Sequence, residues 1–417
     1  MRPLGVALGT VLLLAAALPA KAEPDLFSRE TVSGLVDLRL AAADGERGWT
    51  SGGYGKARYG GAGEGLRITP EIAEAALVWK PRLAWDLGAV VHLQAAPRQA
   101  HVVDAVEAYL AYKPVPGGDW RYAVRAGLFY PPISMEHDDP AWGVTHTITP
   151  SAINSWVGEE VKVVGLEAKL TRSFAGQQVS ATAAAFGWND TSGTLLSLRG
   201  WALHDIKSTA FGDLPLPRLL PAYGFIWRAQ AADTEPTREL DGRVGVYGRL
   251  DWAAGPFALN LFGYDNAGNK TAVKNEQWSW RTTFWNLGGS IDLDRRTQVL
   301  AQALRGRTQE GYVTPSGIWI DVSFASAYVL ATRSYGKGAV TGRIDWFETT
   351  DHTFIERDDN NEHGWAATGA YRYDFSPRLS LLVEAMHVSS ERPARLYRAA
   401  APRQDQTVVQ SALRVRY

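Results

Sequence analysis

The chain has 417 residues, 46% of them apolar and 11% aromatic, with a formal net charge of −1, sixteen tryptophans, sixteen tyrosines and no cysteine. Charge is interspersed, with no acidic or basic tail, which excludes the electrostatic footprint of a nucleic-acid partner, and the missing cysteines exclude a disulfide framework and thiol chemistry. Past the N-terminal segment no apolar run approaches the roughly 20 residues of a spanning helix, so insertion into lipid requires strands closed into a ring.

In chain order the first element is a secretory signal over 1–22. Arg2 supplies a positive start, Leu4 to Leu18 an apolar run, and Ala20-Lys21-Ala22 a small-x-small cleavage site before Glu23. A retained anchor needs a longer run than this one, which ends at Pro19. From there on alternation and breakers predict strands over 31–42, 71–80, 83–95, 102–113, 120–130, 161–172, 178–188, 240–253, 257–265, 279–293, 297–307, 318–332, 339–349, 363–375, 379–390 and 406–417. Short connections such as Pro81-Arg82 and Ala254-Gly255-Pro256 take turns with long polar ones such as 43–70, 131–160 and 189–239. That asymmetry predicts an all-β, transmembrane, antiparallel up-and-down barrel of about 16 strands occupying 23–417, both of its ends on the periplasmic side. The segment 194–206 also alternates, but counting it alone makes the total odd, so it is read as a short element of the loop folded against the barrel. A partner strand hidden in 222–231 would raise the count to 18.

Face by face the strands support a lipid-facing outside and a wet inside. Val340, Ile344 and Trp346 alternate with Thr341, Arg343 and Asp345, and the terminal VVQSALRVRY sets Val409, Leu413, Val415 and Tyr417 against Gln410, Arg414 and Arg416. Arg or Lys facing lipid at mid-depth costs about 2–4 kcal/mol, so charge confined to one parity marks that parity as the lumen. Arg305 and Arg307 break the rule by sharing the parity of Val299 and Ala301, which places them above the hydrocarbon. The Trp and Tyr excess fits interfacial girdles.

One stretch carries a resemblance. A strand ending Gly127-Leu128-Phe129, then Pro131-Pro132-Ile133-Ser134-Met135-Glu136, resembles the third outer loop of the phosphate-selective porins of the O and P type. The resemblance implies a sixteen-stranded porin whose loop 131–160 folds inward to narrow the pore, and a homotrimer. It covers a few dozen residues. The family's anion filter is basic, whereas this loop carries Glu136, Asp138, Asp139, Glu159 and Glu160, so phosphate selectivity is not carried over. Independently of the resemblance, about 30 residues are too many for a bare connection, and Ile133, Ile148, Ile153 and Trp156 are apolar anchors for packing against the inner wall. The bland reading is a cap over the mouth.

Candidate pore-lining or constriction residues follow: Arg121, Arg125, Arg243, Arg249, Arg343, Arg372 and Arg414 on the lumen parity, Glu136, His137, Asp138 and Asp139 on the loop, and Arg199 in the long loop 189–239. An arginine wall opposite an acidic loop would set a transverse field across the constriction. The competing reading is mutual pairing, open to Arg343 with Asp345 and Arg372 with Asp374. Glu136 to Asp139 with His146 nearby has neither zinc nor calcium spacing, so no metal is assigned. Ser151, Ser155 and His146 lack a nucleophile-elbow turn, so no enzymatic step and no cofactor are implied. The sequence reading is an outer-membrane channel for passive diffusion of small hydrophilic or charged solutes, its partners being those solutes and outer-membrane lipid. The alternative is a non-conducting barrel serving adhesion or structure.

Overall fold

Period-two alternation over most of the chain permits one architecture that buries every strand edge, and the computed structural model shows it. The structure describes residues 25–63, 65–217, 231–353 and 358–417; the signal reading of 1–22 and, Ala231 apart, the candidate strand 222–231 lie outside the described residues. The first eight barrel strands are β1 (Val32–Ala43), β2 (Arg67–Trp79), β3 (Leu87–Ala95), β4 (Asp104–Tyr112), β5 (Trp120–Phe129), β6 (Val163–Phe174), β7 (Gln177–Gly187) and β8 (Gly245–Ala254). The second eight are β9 (Phe257–Asp265), β10 (Arg281–Asp292), β11 (Thr297–Thr314), β12 (Gly317–Tyr335), β13 (Gly338–Asp351), β14 (Glu362–Ser376), β15 (Leu379–Glu391) and β16 (Arg403–Arg416). Each pairs antiparallel with its chain neighbours, and β16 returns to β1, so the ring closes at sixteen strands. Tyr417 extends the closing ladder, its N–H donating to Gly34 O at 3.0 Å.

The register divides the faces as the alternation requires. On β1, Val36, Leu38 and Leu40 are exposed outward while Asp37, Arg39 and Ala41 are buried inward. On β13, Ile344 and Trp346 point out and Arg343 and Asp345 in, and Trp346 lies beside Trp365 of β14 in an outward aromatic row. Such a ring, apolar outside and polar inside, is the form in which strands cross a bilayer. Two ends result. One holds the tight turns and both barrel termini, the other the long connections.

Several boundaries differ from the alternation, β2 starting four residues early at Arg67 and β3 four late at Leu87, and the two largest differences lie at β8 and β11. The strand expected from 240 starts at Gly245, because Asp190 Oδ2 captures the N–H groups of Leu240 (2.5 Å) and Asp241 (3.3 Å) and Gly242 turns with φ 73°. In the other case β11 runs seven residues past Arg307, to Thr314. Arg305 is outward and lies opposite Trp285 and Ala325, and Arg307 donates to Asp321 Oδ1 at 2.6 Å. From there toward the loop end the outward face of β11 to β13 also carries Gln309, Asp321, Ser323 and Glu348.

The interior is filled, chiefly by two segments that fold in from the loop end. The lumen face of β7 to β13 bears buried rings and branched side chains, among them Phe186, Tyr247, Phe262, Phe284, Phe324 and Phe347, which form one cluster with residues of both segments. Trp156 is the centre of it, with ring centroids 5.2 Å from Phe284, 5.2 Å from Phe324 and 6.2 Å from Trp201.

Candidate functional site

The first inserted segment, 131–160, descends along the wall and returns as α1 (Ala152–Glu160), every residue of which is buried. Ser151 caps this helix, its Oγ accepting Asn154 N–H at 3.3 Å. Ile133, Ile148, Ile153 and Trp156, the apolar residues of the sequence pattern, are all buried. Glu136 ties the two arms together. Its carboxylate accepts from Ser151 N (3.0 Å), Ser151 Oγ (2.5 Å) and Asn154 Nδ2 (2.5 Å) and pairs with Arg343 (3.2 Å).

The basic residues of the wall do not confront an acidic loop across open water. Four of them neutralise an aspartate two residues away on the same strand face, where successive inward side chains are neighbours. These pairs are Arg39–Asp37 (2.8 Å), Arg249–Asp251 (2.6 Å), Arg343–Asp345 (2.7 Å) and Arg372–Asp374 (2.8 Å). The guanidinium N–H groups left over then grip the backbone of the inserted segment. Arg125 donates to Tyr130 O (3.1 Å), Arg249 to Pro132 O, Arg414 to Val144 O (2.6 Å), Arg372 to Thr145 O (3.3 Å), and Arg343 to Thr149 O (2.7 Å) and Pro150 O (3.0 Å). Arg125 also holds Glu167 through two bonds of 2.8 Å, and Arg414 holds Asp37 at 3.0 Å. The planar five-donor head of arginine serves a carboxylate and a carbonyl at once, which lysine could not do in that geometry.

The remaining loop candidates diverge. His137 stacks on Trp142, ring centroids 3.5 Å apart, with its Nδ1 2.7 Å from Ser134 Oγ, a hydroxyl that closes a local turn by also accepting the N–H groups of Glu136 and His137. Asp138 is exposed and accepts from Thr145, and Asp139 pairs with Arg416 at 2.9 Å. No shared coordination point forms among these four. Arg121 is exposed near the short-turn end and donates to Ser173 Oγ, and Arg243 is exposed at the loop-end rim, before the first residue of β8.

The second inserted segment, 189–217, carries α2 (Thr194–Leu198) and lies against the first. Gly193 begins it at φ 101°, and a Cβ there would sit 2.1 Å from Thr308 Oγ1, so both conformation and space demand glycine. Arg199 is buried, pairing with Glu159 of α1 at 2.5 Å and lying over the Trp49 ring at 4.5 Å, and His204 meets the same carboxylate at 2.7 Å. Burial alone would raise Glu159, but Arg199 and His204 hold it at about 2. Next to it, burial together with the charge of Glu159 pushes Glu160 up to about 7, although Glu160 accepts N–H groups from Leu195, Gly193 and Trp156. One carboxyl of this adjacent pair carries the charge and the other holds a proton near neutrality.

Sequence reasoning missed the outer latch of this segment. Trp201 N–H donates to Glu362 Oε2 at 2.9 Å, and Glu362 also pairs with Lys56 and, at 3.6 Å, Arg392. Asp205 joins Arg39 and Arg58, each at 2.9 Å, and Lys207 reaches Glu74 at 2.6 Å. Only the lumen parity of Glu74 hinted at these roles, because Glu362 stands just before the strand predicted over 363–375 and, Arg392 apart, the partners lie more than a hundred residues away. Asp190, Glu239 and Asp241 are the acidic groups that converge among the described residues, and backbone N–H groups already occupy them.

No family profile and no curated protein matches this chain. Among solved structures it is similar to the outer membrane channel DcaP of Acinetobacter baumannii, at 11% identity with a TM-score of 0.54, over 94% of this chain and 99% of that one. It is likewise similar to an anion-selective porin from Comamonas acidovorans, at 11% identity with a TM-score of 0.53, over 95% and 100%. A loop L8 deletion mutant of OmpT, an outer membrane protein of Vibrio cholerae, aligns at 10% identity and a TM-score of 0.52, over 93% and 99%. Identities this low establish architecture and leave the solute open, and the resemblance to the phosphate-selective O and P type stays confined to its loop motif. The chain has the closed sixteen-stranded barrel of the bacterial outer-membrane porins.

Proposed function

We propose that this protein is an outer-membrane channel for passive diffusion of small hydrophilic solutes, exported by its N-terminal signal, with 131–160 as the constriction. The observation that carries the reading is the separation of faces: charge and amide groups, with one aromatic cluster, lie inside a ring whose outside is apolar and girdled by aromatic residues. In this reading the short-turn end faces the periplasm and the loop end the exterior. Because two clasped segments occupy the lumen, the channel is narrow and its open steps are small. Planar-bilayer recording of the purified barrel tests this. Discrete steps that enlarge when Asp138 to Thr145 are deleted support it. A silent bilayer holding correctly folded, inserted protein refutes it in favour of the non-conducting structural barrel, the reading that the tight interior packing favours.

A further inference from the structure

The inserted segments meet the barrel wall in two unlike ways. Toward β10 to β13 the contact around Trp156 and Trp201 is aromatic, the two rings set among Phe284, Phe324 and Phe347, while Arg249, Gln302 and Arg343 make the polar contacts elsewhere on that side. Toward β2 to β5 the wall instead presents Glu74, His92, Gln94 and Glu107, all lumen-facing by register. Lys162 and Lys207, outside the strands, stand opposite them. Lys207 Nζ holds both oxygens of Glu74, at 2.6 and 2.7 Å, and the Lys162 ammonium lies 5.3 Å from the Tyr130 ring centroid, with Tyr130 N–H bound to Glu107.

Along this polar seam the hydrogen bonding is incomplete, as it also is at Asn154 Oδ1, Asp251 Oδ2, Asn260 Oδ1 and Asn286 Nδ2 on the other side of the lumen. Neither ring nitrogen of His92 has a partner although the side chain is wholly buried, and Gln94 Oε1, two residues further along the same face, has none either. The nearest carboxylate oxygen to His92, from Glu74, is 4.0 Å away, beyond a direct bond and within the span of a bridging water. An imidazole needs one donor and one acceptor satisfied, and no protein group meets either need here. Two separate openings lie toward its ends. At the loop end a cleft of about 60 Å³ has Gln94, Lys207 and Ser208 in its wall, and at the short-turn end a basin of about 270 Å³ is lined by Arg121, Lys169 and Thr171. Between them lie the half-buried Val90, Tyr109 and Arg125.

The geometry points to this seam, between the β2 to β5 wall and the inserted segments, as the permeation path, with His92 and the Lys207–Glu74 pair at its narrowest level. This rests on the channel reading above. Carboxylates on the wall face ammonium groups on the inserted chain, so the path suits slender dipolar or zwitterionic solutes that exchange hydrogen bonds with both sides, and rejects broad apolar rings.

Because the chain has no cysteine, single cysteines report wetness without background. Gln94→Cys, His92→Cys and Val90→Cys sample the seam, and Ala366→Cys, at a wholly buried position of the aromatic cluster, is the control. With folding checked by heat-dependent gel mobility, a small charged methanethiosulfonate reagent is expected to label the seam cysteines and cut conductance by at least half, leaving Ala366→Cys unlabelled. Val90→Cys and Gln94→Cys keep the test decisive if the histidine variant fails to fold. A conducting wild type whose folded seam variants stay unlabelled and fully conducting overturns the seam and spares the channel. A wild type that never conducts overturns the channel reading and the seam with it.

Discussion

Replacing Arg343 by alanine would leave Asp345 and Glu136 as neighbouring carboxylates in a site with no exposure, because that guanidinium serves both and two backbone carbonyls besides. Removing one partner of a buried pair costs about 3–5 kcal/mol. We therefore expect Arg343→Ala to lower the unfolding free energy obtained from urea titration of the barrel by that much, and the double variant Arg343→Ala/Asp345→Ala to recover part of it. The adjacent outward residue responds oppositely to charge. Ile344→Arg puts a cation into lipid and should cost about 2–4 kcal/mol in a bilayer, a difference that refolding titrations in vesicles can measure. Residue chemistry also sets a pH response. Glu160 has a folded value of about 7 against an ordinary 4.5, so its protonated form is favoured by folding and its contribution to stability falls as pH rises from about 4.5 through 7. Asp190, pushed to about 7 by burial and then by Glu239 and Asp241, acts with the same sign. Glu159, held at about 2, does the reverse, its contribution being lost as pH falls from about 4.5 toward 2. Chemical denaturation at pH 5 and pH 8 should show Glu160→Gln losing less stability between the two than the wild type. An equal loss in both would remove Glu160 from the account.

At the scale of elements, inserted segments are held by two different devices, and their failure should look different. The 131–160 segment is gripped from the wall through its own carbonyls by four arginines, so no single substitution frees it. The 189–217 segment depends on a tight start at Gly193 and on the Glu362 and Asp205 latches. Gly193→Ala forces a left-handed residue to carry a Cβ into Thr308, and the expected result is a barrel that still closes while α2 and Trp201 shift. Larger conductance steps with unchanged β-sheet circular dichroism would show it, and unchanged steps would mean that the segment does not bound the passage. The start of β8 illustrates the same lesson in miniature. Alternation over 240–244 was readable, but Asp190, some fifty residues upstream, claims those N–H groups and delays the strand.

For the molecule as a whole, period-two alternation, the alternating short and long connections and the lack of a second apolar helix were enough to derive a sixteen-stranded closed ring. Each of those signals is local, because a strand's faces and a turn's length are properties of consecutive residues. The lumen parity of Arg343, Arg372 and Arg414 was legible for the same reason. What those arginines do was not. Their partners on Thr149, Thr145 and Val144 lie some 190 to 270 residues away, and only closure of the ring brings them within reach. Tertiary structure alone likewise decided that an aromatic cluster meets the inserted segments on one side of the lumen and a seam of lysines and carboxylates on the other, since a strand's alternation says that a residue faces inward and says nothing of what folds in to meet it.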